Sequence, residues 1–139
     1  VVVVDSSFVV AALIVEGHTT FAAEVLEQLA DEPLAAPQLV MWEIANVLQK
    51  KVLRGVIDAR DRQDVWTMLE LYGLDLHQAP PSGEMDRLGQ LADRHGLSAY
   101  DAAFLDLALV EGAALATLDR DLARAGVAEG LTVLSPYAP

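Results

Sequence analysis

The chain contains no cysteine. Disulfides and thiolate-bound metals are therefore excluded, and a reducing compartment such as the cytoplasm is the expected setting. Aromatic residues make up only 6% of the 139 positions, so the core has to be built from Ala, Val and Leu. No apolar run approaches the roughly 20 residues that cross a bilayer. Val1 to Val4 is too short for the core of a signal peptide and has no basic leader. With Val1 in first place, an initiator Met is expected to have been removed or to precede it.

Positive charge is also scarce. Nine Lys and Arg face 21 Asp and Glu, a net charge of −12. Phosphate binding usually needs a basic surface, so this balance argues against nucleic acid unless bound divalent cations offset it locally. Five of the nine basic residues fall in one stretch: Lys50, Lys51, Arg54, Arg60 and Arg62. They read either as a solvated helix end that complements the helix dipole or as a small phosphate-contacting patch.

What is abundant is aliphatic surface. Hydrophobic residues form 53% of the chain, the composition of a globular fold with a sizeable core. The length fits one domain over residues 1–139. Val1 to Val4 reads as a buried strand ending at Asp5. Ser6 and Ser7 are candidate N-caps for a helix reaching Ile14, which Gly17 breaks. A second helix is expected from Thr19 or Thr20 to the region of Pro33, with Phe21, Ala22, Val25, Leu26 and Leu29 on one face. Leu34 to Ala36 is a short strand candidate. Pro37 is expected to open a helix to Leu53, stopped by Gly55.

Asp58 can cap a further helix to Tyr72, ended by Gly73. Leu74 to His77 reads as a strand. Ser82 to His95 reads as a helix closed by Gly96, and Ser98 to Val110 as a strongly apolar helix closed by Gly112. Ala113 to Thr117 is a small-residue strand. Asp119 to Ala125 is a short helix ended by Gly126, and Leu131 to Leu134 is a last strand. Strand and helix alternate throughout. That order predicts an α/β sandwich around a mostly parallel sheet of about five short strands.

Four acids stand out on this frame. Asp5 follows the first strand and Asp119 follows a late one. Asp101 lies in the first turn of a helix and Glu43 in the second turn of another. In open α/β sheets ligands bind beyond the carboxyl ends of the strands, so convergence of the four on one rim is expected. Carboxylates packed together need protons or a divalent cation, and oxygen-only ligands select Mg²⁺ or Mn²⁺ over Zn²⁺.

Each acid also has an ordinary reading. Asp5 and Asp119 could be helix N-caps, with Asp121 a first-turn carboxylate, and Ser98 to Asp101 fits a capping box. Glu43 is hardest to dismiss, because Val40, Met41, Trp42, Ile44, Ala45, Val47 and Leu48 leave little of its helix polar and a charge on the buried side needs a partner. Asn46 shares its face at i+3, and Lys50 continues that face. Ser6 and Thr117 place hydroxyls beside Asp5 and Asp119. His18, His77 and His95 lack metal-ligand spacing and read as structural. Trp66, Met68 and Tyr72 read either as core or as part of a groove for a partner helix.

Four segments together carry a family resemblance. They are Val-Val-Asp-Ser-Ser at 3–7, Trp-Glu-Ile-Ala-Asn-Val-Leu at 42–48, Leu-Ser-Ala-Tyr-Asp-Ala-Ala at 97–103 and Ala-Thr-Leu-Asp-Arg-Asp-Leu at 116–122. In this order the chain resembles a PIN domain, and within that family a VapC-type toxin ribonuclease of a bacterial type II toxin–antitoxin pair. The resemblance puts the family's acidic positions on Asp5, Glu43, Asp101 and Asp119, with Asp121 as a further candidate metal ligand, and its supporting polar positions on Asn46 and Thr117.

It implies Mg²⁺- or Mn²⁺-dependent endonucleolytic cleavage of RNA. Asp5, Asp101 and Asp119 would hold the metal, while Glu43 would hold a second one or handle the water. Ser6 would support the site, and Lys50, Lys51 and Arg54 would contact the RNA backbone. It also implies a VapB-type antitoxin that places a basic side chain among the acids, a homodimer, and larger complexes that reach operator DNA through the antitoxin. Two other classes remain at this point. A catalytically idle PIN-like binding module would keep the fold alone. A flavodoxin-like phosphoacceptor would need an acidic pair after the first strand and a late lysine, and the only lysines are Lys50 and Lys51.

Overall fold

A computed structural model describes residues 1–14 and 20–139. The break expected at Gly17, the reading of His18 and a helix start at Thr19 fall outside them. Five strands form one parallel sheet: β1 (Val2–Val4), β2 (Leu34–Pro37), β3 (Asp75–His77), β4 (Ala114–Ala116) and β5 (Val133–Leu134), in the order β3-β2-β1-β4-β5. The described residues also form seven α-helices: α1 (Ser6–Leu13), α2 (Thr20–Gln28), α3 (Leu39–Leu53), α4 (Ala59–Tyr72), α5 (Asp86–His95), α6 (Ala99–Glu111) and α7 (Arg120–Ala128). Helices α1 to α4 pack together, as do α5 to α7, and α6 lies against β1, β2 and β4.

The centre of the sheet is the most apolar part of the chain. Val2, Val3 and Val4 are all buried, as a central strand covered on both faces requires. Ala35, Ala36 and Ala116 flank them. These small side chains let the helices approach the sheet closely. Phe104, Leu105 and Ala108 of α6 and Ile44 and Leu48 of α3 complete the core. Of the three large residues left open between core and groove, Trp66 packs against the core, whereas Met68 and Tyr72 are exposed.

Several boundaries differ from expectation for identifiable reasons. Pro37 closes β2 rather than opening α3. It pairs with His77 in the parallel ladder, and the Gln38 N–H donates to the His77 carbonyl at 2.8 Å. Ser82–Glu84 forms a separate 3₁₀ turn before α5, because Gly83 sits where a helix would have to nucleate just after Pro81. Gly126 does not end α7, which continues to Ala128. A Cβ on Gly126 would lie 2.8 Å from Val133 Cγ2 and 3.2 Å from Leu115 Cδ2, so its role is close helix–sheet packing. The left-handed turn beyond the helix is made by Gly130, at φ +83°. Ser6 and Ser7 lie inside α1, and its N-cap is Asp5.

Candidate active site

The strand order places a topological switch between β1 and β4. From β1 the chain builds outward through β2 and β3, then crosses back to lay β4 on the other side of β1. A crevice opens at such a point beyond the carboxyl ends of the strands. Val4 and Ala116 are register partners. Asp5 is therefore the first residue past β1 and Thr117 the first past β4, side by side, and the Asp5 N–H donates to the Ala116 carbonyl at 3.2 Å.

Asp5 is only 5% exposed and is held from three directions. Its Oδ1 accepts the Phe8 N–H at 2.9 Å, which caps α1, and the Ser7 hydroxyl at 2.7 Å. Its Oδ2 accepts the hydroxyl of the buried Thr117 at 2.5 Å. Thr117 Oγ1 in turn accepts the Asp119 N–H at 2.9 Å, and Ser7 Oγ accepts the Leu118 N–H at 3.0 Å. Two hydroxyls thus tie the loop after β4 to the carboxylate after β1. Asp119 caps α7 by accepting the Leu122 N–H at 2.8 Å. The capping reading of Asp5 and Asp119 holds, and it leaves a site role open to both, since one oxygen of a carboxylate suffices for a cap.

Helices α3 and α6 bring the other two acids. Glu43 Oε1 accepts the Ser6 hydroxyl at 3.3 Å, which supplies the partner its apolar helix lacks. Ser98 Oγ accepts the Asp101 N–H at 3.1 Å and so fixes the first turn of α6. Each of the four carboxylates is within electrostatic reach of two others. Burial, the largest influence, raises Asp5 to about 6, against the lowering effect of its bonds from Thr117, Phe8 and Ser7, and Asp119 adds repulsion. Glu43 is raised by burial and then by the charges of Asp101 and Asp5. Asp101 is raised by burial and by Asp119 and Asp121. Among the described residues, no positive charge is a cause of any of the three shifts.

Other expected members lie further out. Asp121 is exposed, pairs with Arg124 at 3.4 Å, and acts on the cluster through its field at Asp101. Asn46 is exposed one turn along α3 from Glu43. Lys50 is seven residues from Glu43, about 10 Å along the axis at helical rise. Lys50 and Arg54 are exposed and Lys51 is partly buried. Arg62 donates to Gln49 at 2.9 Å. His77 and His95 are engaged by carboxylates, Asp75 at 3.0 Å and Glu129 at 2.7 Å. Sequence reasoning overlooked Ser7 as a site residue. The signal was its place two residues after Asp5, where a hydroxyl can return to the carboxylate.

The donor set suits a hard divalent cation: four carboxylates, no sulfur or imidazole, and mutual repulsion that a cation would relieve. The fit is one of chemistry and charge. Among the described residues, no three acidic or histidine side chains stand together as a finished metal cage.

The PIN-domain family profile matches residues 2–128, which span the whole sheet apart from β5 and all four acids. The chain belongs to the PIN-domain family, in its VapC branch. It is 33% identical to ribonuclease VapC9 of Mycobacterium tuberculosis over 131 residues, 92% of this chain and 93% of that one. It is 31% identical to ribonuclease VapC3 of Pyrobaculum aerophilum over 121 residues, covering 87% and 91%. Among solved structures, the fold matches PAE2754 from Pyrobaculum aerophilum with a TM-score of 0.66 at 22% identity, covering 96% of this chain and 88% of that one. It also matches FitAcB from Neisseria gonorrhoeae with a TM-score of 0.62 at 14% identity, covering 99% of each.

Proposed function

We propose that this PIN domain, acting as one unit over residues 1–139, is a metal-dependent endoribonuclease, the toxin of a VapC-type toxin–antitoxin pair. The observation that carries this reading is the ring of repelling carboxylates, Asp5, Glu43, Asp101 and Asp119, at the switch point of a VapC-branch fold. Asp5, Asp101 and Asp119, with Glu43 and with Asp121 at the margin, would hold Mg²⁺ or Mn²⁺. Once bound, the cation supplies an acidified water and offsets the charge of the scissile phosphate.

The protein's own groups supply the remaining steps. Thr117 and Ser7 hold the Asp5 carboxylate in place at the strand ends. Ser6 steadies Glu43, whose raised affinity for protons suits it to take one from the attacking water. Asn46 is free to contact the substrate, and Lys50, Lys51 and Arg54 follow the RNA backbone beyond the cut. The same acidic crevice suits capture of a basic side chain from a VapB-type antitoxin, and the exposed Leu53 and Leu71 offer apolar footing for its helix. The working form in this proposal is a cytoplasmic homodimer that joins larger complexes with its antitoxin, which alone contacts operator DNA. No helix among the described residues is long and apolar enough to cross a membrane.

The test is cleavage of a mixed RNA pool in Mn²⁺ or Mg²⁺. Wild type should cut internally. Asp5→Ala, Asp101→Ala and excess EDTA should each reduce cutting at least 100-fold, the order of loss when an electrostatic element of a site is removed. Undiminished cleavage in EDTA would overturn the metal assignment.

A further inference from the structure

Two of the most exposed large side chains immediately precede two of the acids in the chain. Trp42, 79% exposed, precedes Glu43, and Tyr100, 68% exposed, precedes Asp101. Trp42 lies near the start of α3 and Tyr100 near the start of α6. Both line one open groove of about 530 Å³ that continues along the β3–α5 connection past Ala79, Pro80 and Met85. Neither ring belongs to the core. An exposed indole on a helix that already buries Val40, Ile44 and Leu48 adds nothing to folding that a smaller residue would not.

The charge of the groove restricts what can lie in it. Its wall carries Glu84, Asp106 and Glu111. The guanidinium of Arg87 there is already bound by Asp106, at 2.8 Å through Nε and 3.0 Å through Nη2, and by Glu84 at 3.4 Å. His77 on the same wall is bound by Asp75 at 3.0 Å and lies 3.8 Å from Glu111. Among the described residues, phosphate therefore finds no free cation in the groove. Flat, uncharged rings do find two aromatic faces, one residue away from each of two carboxylates. Resting on the nuclease reading above, we propose that Trp42 and Tyr100 are a stacking platform for the bases flanking the scissile phosphate. The substrate is then single-stranded RNA, in which bases are free to unstack and splay onto aromatic rings.

The division of labour follows from chemistry. The backbone meets the acids only at the phosphate that is cut. The neighbouring bases turn into the groove, where stacking is tolerant of sequence. A duplex cannot present its bases in this way, so paired RNA is a poor substrate.

The experiment measures cleavage of a short unstructured RNA by the full chain in Mn²⁺, for wild type and for Trp42→Ala, Trp42→Phe, Tyr100→Ala and Tyr100→Phe. Each Ala variant is expected to lose about ten-fold in kcat/KM, mostly through KM, and each Phe variant to stay near wild type. An RNA with abasic sites on both sides of the cut should cost wild type a similar loss and cost the Ala variants little more. Light scattering reports the oligomeric state of every variant, and thermal melting its fold. Ala variants with wild-type KM overturn the platform while leaving the nuclease intact. Loss of activity together with a change in oligomeric state also overturns it and assigns the groove to a protein partner. Absence of RNA cleavage by wild type overturns the nuclease reading and the platform with it.

Discussion

The hydroxyl of Thr117 donates to Oδ2 of Asp5 at 2.5 Å, across 112 residues of sequence. Both groups are buried, and the same Thr117 oxygen accepts the Asp119 N–H. One hydroxyl thus joins the two strand ends that bound the crevice. Thr117→Val keeps the volume and removes both bonds. Loss of a hydrogen bond to a buried charged group costs about 2 kcal/mol. The urea midpoint at pH 8 should fall accordingly with an unchanged m-value, and the Asp5 carboxyl should titrate above its present value of about 6, because a bond favouring its charged form is gone.

Burial makes Asp5 a better proton acceptor in the folded chain than in the unfolded one, at about 6 against 3.8. Between those values the folded state binds more protons, so stability falls as pH rises from about 4 to about 6 and stays lower above. The gap corresponds to about 3 kcal/mol. Glu43 and Asp101 shift in the same direction. Melting in EDTA should therefore show a protein less stable at pH 7.5 than at pH 5. Asp5→Asn should be more stable than wild type at pH 7.5 and should show a flatter pH profile. Adding Mg²⁺ at ten times its Kd should restore about 1.4 kcal/mol to wild type, a few degrees in Tm, and less to the variant. A pH profile for Asp5→Asn identical to that of wild type would refute the linkage.

Gly126 tests the packing of α7 on the sheet. A methyl group there meets Val133 Cγ2 at 2.8 Å and Leu115 Cδ2 at 3.2 Å. Helix propensity alone would make Gly126→Ala stabilising by up to about 1 kcal/mol. The clash predicts the opposite sign, a loss of about 1–3 kcal/mol. Val133→Ala in the same chain should recover part of it, a coupling that urea unfolding of the double-mutant cycle measures directly. A stabilised Gly126→Ala protein would show that α7 can move away from the sheet at little cost.

Much of the candidate site is legible in the chain itself. Asp5, Glu43, Asp101 and Asp119 were identified from their places at strand ends and helix starts, and the structure brings all four within one electrostatic neighbourhood. The alternation of elements predicted the parallel sheet that is found. The errors were local. Pro37 looked like a helix start because Pro favours that position. It is a strand residue because β3 pairs with it, and β3 lies some forty residues away in the chain. Gly126 looked like a stop because Gly usually is one. Only the approach of Val133 and Leu115 reveals a different need.

The sequence by itself determined the inventory: a valine strand that must be central, apolar helices that must cover it, and acids placed where those elements end. Those properties are local, because periodicity, capping and the fixed chemistry of each side chain act over a few residues. The tertiary structure alone decided which hydroxyl would hold which acid. Ser6 went to Glu43, 37 residues away, and Thr117 to Asp5, 112 residues away. It also decided that Trp42 and Tyr100 would share one groove. Those outcomes depend on strand order and on the register of β1 against β4. Hydrogen bonds are directional over about 3 Å, and such short distances between remote residues exist only once the sheet has closed.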